Sequence, residues 1–569
     1  MMGNRLSKEH IAALNRCRRV IINYDALAAV IGLPDIEGEQ LIERLFDSVD
    51  AENSPIDSVW WNWSEGNHTL YPSKVLPPID VPRYLDWAAS GFNIVQVCLE
   101  ETRRRNKEAF LTYRLNGSDN DTVDGVPVVS PMKKAHPEWL IHTWDEVGYA
   151  APFWNFAVPG VRDHKLSILR EIAEDYDFDG IDIDFARICP VLPPGHQWEN
   201  RNAMSEFMRS VRTMLLEVEK RRGRPFLLSA RVPENLMGCH FDGLDVETWA
   251  REQLVDIFVV GCRSFDVDIA AFRRITVGTK IKLYPCLDND HASDGYYIPP
   301  IEVFRGVFAN WRYQEADGIQ TFNFANHSPL TGRSVDKSHP VVWTPPATYP
   351  PPTVPGSASD SPPVVWTLHR QIYRELGDPQ GLDRKNKTFL VQRRGGGHMA
   401  PIIPDPEDWT TPRWMYCNTN MFSQLPAKLN NNGHADTLLT LMVGDDVSAA
   451  KSPVASITLR LLLSDPAAKE LAEADRLEPV ITGNNARYTP DHCAWNIPPA
   501  KGVEEHVEIR LNNGLLGRAS VEAGWLVFSV KPPQLAVGDN LVGVHVTERS
   551  PETHEELLIE KLELHVKYQ

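Results

Sequence analysis

The chain has 569 residues, a formal net charge of -18 at pH 7 and a hydrophobic fraction of 42%, which together indicate a globular protein with more than one core. The acidic balance argues against nucleic acid as a partner, and no apolar run is long enough to cross a bilayer. The first ten residues lack the apolar segment of a secretory signal, although a chain trimmed of its signal would look the same. We therefore expect a two-domain cytoplasmic protein that does not bind membranes, and the composition leaves homo-oligomerisation open.

Strand and helix patterns alternate over the first two thirds of the chain. Strand patterns occur at residues 19–25, 92–97, 109–113, 181–186, 226–231, 256–260, 280–284 and 318–324, separated by helical patterns such as 163–175 and 202–221. This alternation predicts a (β/α)₈ barrel, an α/β fold, over residues 18–385.

Two long loops are predicted after the first and eighth strands, at about 56–80 and 324–365. The first contains an aromatic and acidic cluster of Trp60, Trp61, Trp63 and Glu65, which we expect to line a substrate cleft. The second contains Pro- and Ser-rich sequence before a closing helix at 366–377. That sequence could instead be an interdomain linker, but the last strand needs a helix to cover its apolar face.

The periodicity changes to two after residue 385. Seven short strand patterns separated by Gly, Asn or Pro predict a β-sandwich over residues 386–569. Such a domain either binds carbohydrate or supports the barrel and mediates assembly.

The fourth strand pattern is unusual because its side chains divide into an apolar face and an acidic face. Ile181, Ile183 and Phe185 fall on one face, while Asp182 and Asp184 fall on the other, towards the barrel interior. Active sites of (β/α)₈ barrels lie at the carboxyl ends of the strands. A structural charge cluster with nearby arginines is the alternative, but burying two carboxylates is costly.

The segment Asp179-Gly180-Ile181-Asp182-Ile183-Asp184-Phe185 resembles the fourth-strand signature Asp-Gly-x-Asp-x-Asp-x-Glu of the chitinase-type family 18 glycoside hydrolases. In that family the three aspartates support a catalytic Glu, but Ala186 occupies its position here. A looser likeness, over most of the chain, is to uncharacterised bacterial glycosidase-like barrels with a C-terminal β-sandwich. These resemblances imply a glycosidase-like barrel whose mechanism differs from substrate-assisted chitin hydrolysis.

Glycoside cleavage needs carboxylates together with aromatic surfaces on which sugar rings stack, and this chain has both near the predicted strand ends. We expect Asp184 to be the nucleophile or base, with Asp182 orienting it and the acid supplied by Glu234 or Asp288. The predicted substrate-binding residues are the four of the first loop together with Arg114, Asn116, Asp119, Arg187, Trp198, Arg231 and Asn323.

We therefore predict a glycoside hydrolase that cleaves an oligosaccharide and requires no cofactor. Carboxylates such as Asp119 and Asp288 would accept Ca²⁺ or Mg²⁺, but no spacing demands a metal. Two alternatives remain open at this point: a non-catalytic carbohydrate-binding barrel, and a metal-assisted lyase or isomerase that acts on a sugar.

Overall fold

The computed structural model describes the chain except for residues 1–5, 26–37, 64–66, 117–121, 124–125, 128, 143–152, 188, 262–263, 289–298, 323, 325–361, 395–419, 421, 431–434, 449–452, 465–480, 483–484, 487–499, 501, 504, 523 and 548–556.

Eight parallel strands close into a barrel in chain order, and the last strand pairs with the first through Phe322 opposite Asn23. All carboxyl ends therefore lie at one end of the barrel, which we call the mouth. The strands are β1 Val20–Asp25, β2 Ile56–Asn62, β3 Glu108–Arg114, β4 Gly180–Asp184, β5 Leu227–Val232, β6 Ile257–Val260, β7 Lys282–Leu287 and β8 Ile319–Phe322.

Helices surround the barrel and bury its outward-facing side chains in one large core. They are α1 Lys8–Leu14, α2 Gly38–Leu45, α3 Pro82–Ser90, α4 Ile94–Arg104, α5 Pro159–Asp175, α6 Arg201–Arg222, α7 Leu236–Phe241, α8 Val246–Arg251, α9 Ile269–Thr276, α10 Ile301–Tyr313 and α11 Pro362–Gly377, with short helices at Asp47–Asp50 and Pro131–Ala135. Within the described part of the chain, no helix has the length and apolar character needed to cross a membrane.

Two large antiparallel sheets follow the barrel, so the predicted fold class, a (β/α)₈ barrel with a C-terminal β-sandwich, is confirmed. The larger sheet has the order β9-β15-β11-β13 and the smaller has the order β10-β14-β12. The strands are β9 Lys387–Val391, β10 Thr437–Val443, β11 Val454–Ser464, β12 Val507–Leu511, β13 Trp525–Val530, β14 Gly538–Val546 and β15 Leu558–Tyr568. Short pairing segments occur at Thr122–Val123, Val126–Pro127, Ala427–Lys428, Ile481–Thr482, Asn485–Ala486, Gly514–Leu515 and Ser520–Glu522.

The second barrel strand is not where the sequence pattern placed it. Residues 92–97 were predicted as a strand but lie mostly in α4, whose first turn is capped by the Asn93 side chain accepting from the Gln96 N–H at 3.2 Å. The strand is instead β2, so the first seven residues of the predicted loop at about 56–80 belong to the barrel wall. A short apolar run fits a buried strand or a buried helix equally well, and here the cap favours the helix.

Candidate active site

The inward face of β4 carries the two aspartates at the centre of the predicted site. Ile181, Ile183 and Phe185 pack among the helices in the outer core, whereas Ala186 belongs to a separate cluster inside the barrel. Asp182 and Asp184 alternate with the outward-facing residues and are fully buried. Both carboxylates therefore lie inside the barrel, with Asp184 nearer the mouth.

Asp184 is held by an ion pair and by a backbone hydrogen bond. Its carboxylate forms an ion pair with the buried guanidinium of Arg231, and its Oδ1 accepts the backbone N–H of Arg187 at 3.0 Å. Arg114 and Arg231 are the register partners of Asp184 on β3 and β5, and Arg114 forms a 3.2 Å ion pair with Asp25 on β1. The top interior layer thus contains alternating acidic and basic side chains, Asp25, Arg114, Asp184 and Arg231.

Asp182 lies one layer deeper and contacts hydroxyl groups. Its two carboxylate oxygens accept from Ser229 Oγ at 2.7 Å and from Thr112 Oγ1 at 3.3 Å. Burial raises the pKa of Asp182, Arg231 and the two hydroxyl groups lower it and the Asp184 charge raises it, and the net result is a pKa of about 7. Asp182 and Asp184 therefore lie in different electrostatic surroundings.

Glu234 and Asp288, the proposed acids, also follow strand ends at the mouth. Glu234 comes two residues after β5 and Asp288 directly after β7, and both are buried. A side chain at Gly261, which has a φ of 79°, would meet Glu234, because an added Cβ would lie 3.4 Å from the Glu234 Cβ. The carboxyl ends of β4, β5 and β7 thus each present an acid at the same end of the barrel.

Phe322 of β8 completes the described interior layer with an aromatic face. The Arg231 guanidinium lies 4.2 Å from the ring centroid, and that of Arg187 lies 5.8 Å from it. Because both guanidinium groups lie beside the same ring, Arg187 is next to the Asp184–Arg231 pair. Arg187 is only half-buried, which distinguishes it from Arg114 and Arg231.

The tryptophan cluster of the first predicted loop is part of the core, contrary to the expectation that it lines a cleft. Trp60 stacks on Phe110 at 4.5 Å inside the barrel, while Trp61 stacks between Tyr24 and Trp63 in the outer core. All three tryptophans are fully buried. They follow the alternation of β2, in which successive side chains point to opposite sides of the barrel wall.

Asn116, one of the predicted substrate-binding residues, is buried and holds loops together. Its Nδ2 donates to the Pro190 carbonyl at 2.6 Å, and its Oδ1 accepts from the Trp154 N–H at 3.0 Å. These bonds connect the segments that follow β3 and β4. Glu65, Asp119 and Asn323 lie outside the described residues.

Trp198 is the one predicted tryptophan with a large accessible surface, because 38% of it is exposed. It lies between β4 and α6, with the Arg201 guanidinium 4.6 Å from its ring and the His240 ring 4.2 Å away. His240 belongs to α7, which follows β5. The connections that follow β4 and β5, the strands that carry or precede acids of the site, therefore contact each other through aromatic rings.

Asp179, the first residue of the family 18 motif, lies at the opposite end of β4. Its Oδ2 accepts from the Ala109 N–H at 3.0 Å, and its Oδ1 pairs with Arg224 at 3.2 Å. Asp179 therefore anchors the lower ends of neighbouring strands and is remote from Asp184. No group of three or more His, Cys, Asp or Glu side chains that could hold a metal is found among the described residues.

Several polar residues of this site were not among the predicted ones. Asn23 donates from Nδ2 to Thr112 Oγ1 at 2.8 Å, which extends the contacts of Asp182 across the interior to β1. Asp25 and Ser229 also contact the predicted site residues and were not predicted. Their inward positions, two residues apart along predicted strands, were the available signal.

No protein-family model matches the chain, and no curated protein matches its sequence. Among solved structures, it is similar to α-L-fucosidase isoenzyme 2 from Paenibacillus thiaminolyticus, with 11% identity, a TM-score of 0.38 and coverage of 66% of this chain and 51% of that one. The PgaB (BpsB) glycoside hydrolase domain from Bordetella bronchiseptica has 10% identity, a TM-score of 0.36 and coverage of 55% and 95%. The maltogenic α-amylase AmyB from Thermotoga neapolitana has 11% identity, a TM-score of 0.34 and coverage of 93% and 98%. Scores of this size carry no argument about activity, which must rest on the site itself.

Proposed function

We propose that the barrel mouth is the active site of a glycoside hydrolase that cleaves an oligosaccharide. The observation that carries this proposal is the pair Asp182 and Asp184, two buried carboxylates on one strand in different surroundings. Asp184 is ion-paired with Arg231, whereas Asp182 lies among hydroxyl groups with a pKa of about 7. Two carboxylates with such different neighbours can take different roles in acid–base chemistry.

In this mechanism Asp184 is the nucleophile or the base, and Asp182 positions it from the layer below. The acid that protonates the leaving oxygen is Glu234 or Asp288, because both follow strands at the mouth. A carboxyl separation of roughly 5–5.5 Å between acid and nucleophile would give retention, and roughly 6.5–9.5 Å would give inversion. Arg187, half-buried beside Phe322, and Trp198 on the rim supply contacts for the sugar.

A non-catalytic carbohydrate-binding barrel is the second candidate. It is favoured by Ala186, which occupies the position of the catalytic Glu in the family 18 motif, and by the complete burial of Asp184 in its ion pair. In this reading the charged layer stabilises the barrel and the mouth only binds sugar. Binding of an oligosaccharide without release of products would favour this candidate.

The experiment is a screen of plant, algal and bacterial oligosaccharides for released products, followed by kinetics of Asp184→Asn on a confirmed substrate. We expect kcat to fall roughly 100- to 10,000-fold with little change in KM, because the variant keeps the shape but loses the charge. The matched control is Asp317→Asn, which weakens an Asp–Arg pair with Arg273 near the start of β8. The control should keep wild-type kcat.

Near-normal turnover by Asp184→Asn would make Asp184 structural and move the assignment to Glu234 and Asp288. Loss of turnover on treatment with a chelator would instead favour a metal-assisted lyase or isomerase.

A further inference from the structure

The β-sandwich reaches the mouth of the barrel through the residues that follow β9. Gln392 comes directly after this strand and is fully buried. Its side-chain Oε1 accepts two consecutive backbone N–H groups of the barrel, from Phe265 at 2.8 Å and from Asp266 at 3.2 Å. Its own N–H donates to Asp266 Oδ2 at 2.8 Å. One residue of the second domain thus makes three hydrogen bonds to a single turn of the first.

That turn lies between β6 and α9 and also contacts Glu234. The N–H of Asp268 donates to the Glu234 carbonyl at 3.0 Å. At the other end of the segment, Gly261 lies beside Glu234, and an added Cβ would be in van der Waals contact with the Glu234 Cβ at 3.4 Å. The position of Glu234 therefore depends on the position of a turn that Gln392 holds.

A second contact from the sandwich reaches the helix that follows Glu234. The Phe422 ring packs edge-on against Phe241 of α7 at 5.9 Å. Asn420 donates from Nδ2 to the Asp266 carbonyl at 3.3 Å, and Ser423 Oγ donates to the Gln392 carbonyl. The same part of the sandwich thus contacts the connections after β5 and after β6.

We propose that the β-sandwich is an integral part of the active-site scaffold and that Gln392 is a positioning residue for Glu234. This inference rests on the proposed function, in which Glu234 is a candidate acid. A buried turn whose amides lose their acceptor must rearrange to find new partners, and the rearrangement is transmitted to Glu234. Small displacements of a catalytic group lower kcat strongly, because the reacting atoms must be held in a narrow range of geometries.

The test compares three variants of the full chain. Gln392→Leu removes the acceptor at similar volume, and Gln392→Asn keeps a neutral amide acceptor on a side chain one methylene shorter. The matched control is Asn310→Leu, because Asn310 also connects the two domains, accepting from the Gly444 N–H at 2.8 Å and donating to the Met442 carbonyl at 3.2 Å. Asn310 lies on α10, outside the turn that contacts Glu234.

The first measurement is hydrogen exchange, which needs no substrate. We expect Gln392→Leu to speed exchange of the amides in residues 264–268 and 233–241, while Asn310→Leu leaves both segments unchanged. On a confirmed substrate, kcat of Gln392→Leu should fall roughly 10- to 100-fold with little change in KM, and Gln392→Asn, which keeps a neutral amide acceptor, should lose less. Asn310→Leu should keep wild-type kcat in its folded fraction.

The outcomes separate this inference from the proposed function. Unchanged exchange in residues 233–241 of Gln392→Leu, or wild-type kcat in that variant, would overturn the positioning role and leave the glycosidase proposal intact. A wild-type protein that cleaves no oligosaccharide would refute the glycosidase proposal, and the exchange data would still decide whether Gln392 controls the Glu234 segment.

Discussion

Asp182 and Asp184 are two residues apart, yet their neighbours give them different chemical properties. Asp184 meets a guanidinium and a backbone N–H, and Asp182 meets the hydroxyl groups of Ser229 and Thr112. A buried ion pair contributes little net stability compared with an apolar replacement, so stability alone does not explain why two carboxylates are buried here. The proposed function at the mouth would account for both carboxylates.

Burial also separates the tryptophans into a structural set and a candidate binding residue. Trp61 is fully buried between Tyr24 and Trp63, so Trp61→Ala should lower the free energy of unfolding by about 3–5 kcal/mol. Trp198→Ala removes a ring that is 38% exposed and should cost less, about 1–2 kcal/mol. On a confirmed oligosaccharide, Trp198→Ala should raise KM roughly three- to tenfold through loss of stacking.

Chemical denaturation and steady-state kinetics check both halves of this prediction. An unchanged KM for Trp198→Ala with retained stability would assign Trp198 to the surface and place the sugar elsewhere at the mouth.

At the scale of elements, the sequence patterns predicted most strands but not the second one. Residues 92–97 resemble a strand by composition, and the capping pair Asn93 and Gln96 was the signal for a helix. The alternation of Ser58, Trp60 and Asn62 with Val59, Trp61 and Trp63 was the signal for β2. Both signals are local, but deciding which segment is the second strand requires knowing which segments pair to close the barrel.

The site could be predicted only in part, for a related reason. Inward positions on β4 follow from alternation alone, so Asp182 and Asp184 were found. The partners of these residues on other strands depend on the barrel register, which sequence does not provide. Gln392 was missed because its contacts to Phe265 and Asp266 span 127 and 126 positions along the chain.

Helix α1 closes the end of the barrel opposite the mouth. Ala13 and Leu14 join the interior cluster, while His10 lies buried between Glu219 of α6 at 2.6 Å and Asp256 before β6 at 2.9 Å. Burial opposes the charged form of His10, but the hydrogen bonds to Asp256 and Glu219 outweigh it and raise the pKa of His10 to about 9. Arg212, which pairs with Asp256 at 2.7 Å, completes the cluster.

This cluster should make stability depend on pH. A raised folded-state pKa contributes stability that is fully present below pH 6.5, the ordinary value for histidine, and is lost as pH rises through about 9. The wild type should therefore lose up to about 3 kcal/mol from this source across that window. In His10→Gln, the free energy of unfolding should be lower below pH 6.5 and should change less between pH 6.5 and 9.

Urea titrations at several pH values measure this slope. His196→Gln, which removes an exposed histidine that pairs with Glu199, is the control and should keep the wild-type slope. Identical slopes in His10→Gln and the wild type would show that His10 is not the titrating group.

At the scale of the whole molecule, each domain contributes to the core of the other. Leu390 of β9 packs in the barrel core, and Ala309 of α10 packs in the sandwich core. Lys387, also on β9, is buried and forms a 2.6 Å ion pair with Asp445. The two domains therefore meet through shared packing, and we expect them to unfold in one transition.

Gly306 of α10 provides the last test, because it lies where the backbones of the two domains approach each other. An added Cβ there would be 2.1 Å from the Thr388 carbonyl oxygen, a contact that requires the backbone to move. Replacing glycine by alanine inside a helix normally stabilises it by roughly 0.5–1 kcal/mol. For Gly306→Ala we expect the free energy of unfolding to fall by about 1–3 kcal/mol because of overpacking, and the two domains to unfold in separate transitions.

Gly517→Ala is the control, because nothing lies within 4 Å of its added Cβ, and it should be neutral or slightly stabilising. Calorimetry and tryptophan fluorescence follow the transitions, and a wild-type melting temperature with a single transition in Gly306→Ala would mean that α10 and β9 can separate without loss of stability.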